Sequence, residues 1–86
     1  MYTVIKSVNG GSTTVVAESQ SLQTAVMEWH RESRALWGAS DVITGYIAIM
    51  DSSLNEVSIN GFTYKEFIFH EAPEPEPQEQ SNNSNN

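Results

Sequence analysis

The chain has no cysteine. Disulfides and thiolate metal sites are therefore excluded, and any core must hold by packing, with or without a second chain. Basic residues are nearly as scarce: Lys6, Arg31, Arg34 and Lys65 are the full set in 86 residues. Phosphate contacts and anionic lipid surfaces both call for basic patches, so nucleic acid and membrane are disfavoured as partners. No apolar run approaches the ~20 residues of a bilayer span. The start, Met1-Tyr2-Thr3-Val4-Ile5-Lys6, lacks the basic opening and apolar stretch of a signal peptide. These absences lead to the expectation of a soluble, cytoplasmic protein.

Proline occurs only at 73, 75 and 77, and the last nine residues contain nothing apolar. Proline at every second position stops helix and strand alike. The sequence thus divides into one domain over residues 1–71 and a disordered acidic tail over 72–86. The net charge is −7. Residues 1–70 account for −3 of it and Glu71, Glu74, Glu76 and Glu79 for the rest. A mimic of DNA is disfavoured, because seven acids interleaved with four cations do not imitate one charge per ~1.7 Å of duplex.

What is present is a dense set of aromatic and β-branched residues. Residues 2–8 and 13–18 read as two strands joined at Asn9-Gly10, a dipeptide suited to the positive φ angles of a tight hairpin. Ser21 is the preferred helix N-cap. After it Leu22, Ala25, Val26, Trp29, Ser33, Leu36 and Trp37 fall within one arc of about 120°. A helix of about four turns is expected, with Gly38 as a left-handed C-cap. Residues 41–50 are too β-branched for a second helix and read as the central strand. Residues 56–59 form a short strand, Asn60-Gly61 turns, and residues 62–69 form the last. The fold class is α+β: a mostly antiparallel sheet of four or five strands with one helix on one face, in the order β-β-α-β-β(-β). In element order alone this resembles the β-grasp of ubiquitin-like proteins. An antiparallel meander with a helix inserted after the second strand fits the same order.

Candidates for chemistry are few. His30 and His70 are the only histidines, and His30 has Val26 and Arg34 as its i±4 neighbours, so no ligand set assembles on the helix. Asp51-Ser52-Ser53-Leu54-Asn55-Glu56 opens like a calcium loop. However, Glu56 stands where glycine is needed and Phe62 where glutamate is needed, so the segment reads as a turn. There is no nucleophile elbow and no phosphate-binding glycine loop. Neither an enzyme nor a cofactor is expected.

The apolar pattern is more informative. The strands alternate, yet both sides carry large apolar residues: Ile43, Ile47 and Ile49 against Val42, Tyr46, Ala48 and Met50, and Phe67 and Phe69 against Phe62, Tyr64 and Ile68. One helix covers only one face, so the other face would expose aromatics. The reading is a small non-enzymatic protein-binding module, of the adaptor or inhibitor type common among phages and mobile elements, with Tyr46, Met50, Phe62 and Tyr64 as anchors. The alternative is a homo-oligomeric structural or accessory protein that uses the same face for a second copy of itself. Met27, His30, Arg31 and Arg34 on the helix form a weaker candidate patch.

Overall fold

The computed structural model describes residues 1–71, and the tail expected over 72–86 lies outside the described residues. Strands β1 (Tyr2–Val8) and β2 (Thr14–Ser19) precede helix α1 (Leu22–Gly38). Strands β3 (Thr44–Met50), β4 (Ser58–Ile59), β5 (Phe62–Thr63) and β6 (Lys65–Phe69) follow. The main sheet has the order β2-β1-β3-β6, and β4 and β5 form a separate two-stranded hairpin. Every neighbouring pair in the main sheet is antiparallel. β2 and β3 therefore run parallel on either side of β1, and α1 makes the crossover that parallel strands require. This is α+β with one helix on an antiparallel sheet, but β3 does not continue a meander beside β2.

Local chemistry explains the ends. Asn9 (φ 54) and Gly10 (φ 75) form the expected tight turn, closed by Gly11 N–H donating to the Val8 carbonyl at 2.9 Å. Asn60 and Gly61 repeat the device, with φ of 52 and 82. The Ser21 hydroxyl accepts from Thr24 N–H at 3.2 Å, capping α1. The far end differs from expectation. Gly38 lies inside the helix without a positive φ, and Ala39 caps in extended conformation. There His70 takes over: its Nε2 lies 2.8 Å from the Trp37 carbonyl and its Nδ1 against the Val42 carbonyl. Both acceptors are carbonyls, so both contacts are hydrogen bonds together only when the ring carries both hydrogens.

The last strand is shorter than the sequence implies. It breaks at Tyr64, whose N–H donates to the Val57 carbonyl while its carbonyl accepts from Ile49. Residues 62–63 pair with β4 and only 65–69 join the main sheet.

The core lies between α1 and the sheet. Val4, Ile47, Ile49 and Ile68 are buried against Ala25, Trp29 and Leu36, with Val42 and Val57 closing the ends. Two polar ties cross the same layer. Lys6 pairs with Glu32 at 3.2 Å, and Glu66 accepts from the Ser33 hydroxyl at 2.6 Å and from Trp37 Nε1 at 2.8 Å. Among the described residues no helix is long and apolar enough to cross a membrane.

Candidate functional site

Register decides which side chains share the open face. Thr3, Ile5 and Ser7 of β1 pair with Met50, Ala48 and Tyr46 of β3. Tyr46 and Ala48 pair in turn with Phe67 and Lys65 of β6. Their neighbours Val4, Ile47, Ile49 and Ile68 enter the core, so this second set points away from α1. Val15, paired with Ile5, extends it onto β2.

The face is apolar and substantially exposed: Phe67 is 68% exposed, Phe69 62% and Val15 58%. The rings of Tyr46 and Phe67 lie 5.0 Å apart, tilted by 47°. Beside them is a shallow depression of about 220 Å³ lined by Ser7, Gly10, Thr44, Gly45, Tyr46 and Phe67. That is smaller than the ~300–1,000 Å³ of small-molecule sites, and on a scale for a single inserted side chain.

The polar border is small and internally satisfied. The Tyr46 hydroxyl donates to Glu56 Oε2, and Lys65 Nζ lies 3.2 Å from Glu56 Oε1. Burial, followed by the adjacent Glu56 carboxylate, pushes the Tyr46 phenol up to about 12. The Tyr46 hydrogen bond and then Lys65 hold the Glu56 carboxyl below its ordinary value. The arrangement fixes the Tyr46 ring and keeps the phenol a donor.

The four sequence-derived anchors divide between the two sides of the sheet, two on each. Tyr46 and Met50 are on the open face. Phe62 and Tyr64 are on the helix side, where their rings stand edge-on to Trp29 at 6.3 and 5.4 Å. Phe62 remains 53% exposed there, and Tyr64 packs against the core. Among the described residues the buried Trp29 indole N–H meets no hydrogen-bond acceptor, so packing holds this cluster. Sequence reasoning missed Phe67 and Phe69. The signal was their alternation with Ile68, the most buried residue of β6.

The other candidates have local explanations. Asp51 Oδ1 accepts from Ser53 and Asn55 N–H, both at 2.9 Å, which organises the turn that resembled a calcium loop. Among the described residues no three His, Cys, Asp or Glu side chains gather as metal ligands. On the helix, Met27 is exposed and Arg31 pairs with Glu28 at 2.8 Å, an i,i+3 contact of a solvated face. Asn9, read from the sequence only as a turn residue, proves to be a clamp. Its Oδ1 accepts from Ile43 and Thr44 N–H at 2.6 and 3.1 Å, and its Nδ2 donates to the Asp41 carbonyl at 3.1 Å. It ties the first hairpin to the loop before β3 and so fixes one wall of the depression.

No family model, curated protein or solved structure matches this chain. The likeness in element order to the β-grasp therefore carries no functional argument.

Proposed function

We propose that this protein is a small non-enzymatic protein-binding module that docks a partner protein through the open face of its sheet. The observation that carries the reading is the Tyr46–Phe67 ring pair beside a depression sized for one side chain, on a face that no described element covers. Aromatic anchors next to a pocket are the usual centre of a protein contact. An apolar face of this kind is costly to leave in water unless something covers it. No cofactor enters this reading, and the scarcity of cations keeps nucleic acid and membrane out of it.

A photo-crosslinking residue placed at position 67 tests the reading, with one at position 27 on the helix as control. Adducts to a different protein, formed at 67 but not at 27, competed by unmodified chain and lost with Tyr46→Ser, support it. Adducts at 67 only to further copies of the chain would overturn docking of a different protein. Adducts at 27 alone would move the docking surface to the helix.

A further inference from the structure

β6 is an edge strand, and among the described residues no strand pairs with its outer side. His70 N–H donates inward to the Ile43 carbonyl at 2.9 Å. By antiparallel alternation, Ile68 and Glu66 also turn their backbone groups toward β3. The backbone N–H and C=O groups of Lys65, Phe67 and Phe69 point outward. Apolar rings flank this edge on both sides: Phe67 and Phe69 on the open face, and Trp37, 42% exposed, on the helix side with its ring 6.4 Å from that of Phe69. Regular, apolar edges recruit another strand. The opposite edge differs, because β2 carries a register shift between its pairs with Val4 and Ile5, and such bulges blunt an edge.

We propose that β6 pairs antiparallel with β6 of a second copy about a two-fold axis, joining the two four-stranded sheets into one. Charge selects both the occupant and the register. Near the strand centre, three registers match outward-pointing groups with each other; the one with Glu66 on the axis sets that carboxylate against its own copy, which leaves two. One puts Phe67 on the axis and sets Lys65 against Phe69. The other puts Ile68 on the axis, sets Phe67 against Phe69, and sets Lys65, which bonds Glu56 within its own chain, against Glu71, two residues past the end of β6, with each pairing occurring twice. Opposite charges directly across an antiparallel pair attract, and aromatic pairs add to the contact. In the second register the strand is its own complement, which singles out a second copy over a foreign strand. The axis is perpendicular to the sheet, so both helices lie on one side and both open faces on the other. The dimer uses the strand edge and the docking reading uses the open face, with Phe67 common to both, and the dimer would present two Tyr46–Phe67 sites on one surface.

Sedimentation analysis of the full chain over a range of concentrations tests it. The expected result is a reversible dimer weakened roughly tenfold by Lys65→Glu and by Glu71→Lys, each of which opposes like charges twice, and restored by the double exchange. Phe67→Pro removes an outward N–H that the fold itself does not use and should give a monomer with unchanged helical circular dichroism. A wild-type monomer at concentrations of roughly 1 mM overturns the proposal, since such a dimer would be too weak to matter. So does a double exchange no tighter than the single ones, a comparison that stands even if the proline variant fails to fold. Loss of the dimer with Tyr46→Ser but not with the charge variants would place the contact face to face and overturn the edge pairing.

Discussion

The ring of Tyr46 lies 5.0 Å from that of Phe67, its register partner on β6, on the side of the sheet that α1 leaves open. Neither ring is needed to fill the core, where Val4, Ile47, Ile49 and Ile68 already pack against the helix. Fold and candidate surface are therefore separable, and substitutions can distinguish them.

Phe67→Ser should cost the fold within ~1 kcal/mol, because the side chain is mostly in water. Tyr64→Ser should cost ~2–3 kcal/mol, because it removes a ring from the Trp29 cluster and leaves a gap beside the core. Urea unfolding of both variants checks the contrast. Equal losses would show that the open face supports the fold rather than a partner.

The Tyr46 phenol, pushed up to about 12, should give a late-titrating phenolate absorbance that is missing from Tyr46→Phe. Its raised value means that its contribution to stability is in place below the ordinary tyrosine range and fades as pH climbs toward 12. Glu56 is held low, so its contribution is present above the ordinary carboxylate range and is lost as pH falls through the lowered value. The wild type should therefore lose more stability than Tyr46→Phe between neutral and acid pH, as read from thermal melts. An equal loss would show that the hydrogen bond carries no weight in solution.

Asn9 combines a positive φ with three side-chain hydrogen bonds. Asn9→Ala should cost ~2–3 kcal/mol, and Asn9→Gly about 1 kcal/mol less, because glycine keeps the backbone conformation while losing the same bonds. The difference between the two, measured by denaturant unfolding, isolates the backbone term.

Gly45 is in a different position. It lacks a positive φ, and a Cβ added there would meet Val42 Cγ1 at 3.5 Å and Ile68 Cβ at 3.6 Å, both ordinary contacts. The third neighbour, the Ser7 carbonyl at 3.7 Å, is an ordinary contact too. Gly45→Ala should raise stability by ~0.4–1 kcal/mol by restricting the unfolded chain, as read from thermal melts. A lower melting temperature would show that β3 has no room on its core side.

Much of this protein was legible in the sequence by itself. Asn9-Gly10 and Asn60-Gly61 marked their turns because positive φ is a property of single residues. Ser21 marked the start of α1, and the helical period placed Ala25, Trp29 and Leu36 inward, because capping and periodicity act within a few residues. The alternation of Phe67 and Phe69 against Phe62, Tyr64 and Ile68 was equally local. Only the tertiary structure decided which side of β6 joins which side of β3. Gly45 pairs with Ile68 and Tyr46 with Phe67, so Phe67 belongs with Tyr46 and Met50, and Tyr64 belongs with Trp29. Register between strands depends on partners distant in the chain, and a period of two says that two sides exist without saying which meets the helix. The same holds at the end of α1, where Gly38 had the composition of a cap. Ala39 caps instead, and His70, just past β6, comes back to the carbonyl of Trp37 across 33 residues of sequence.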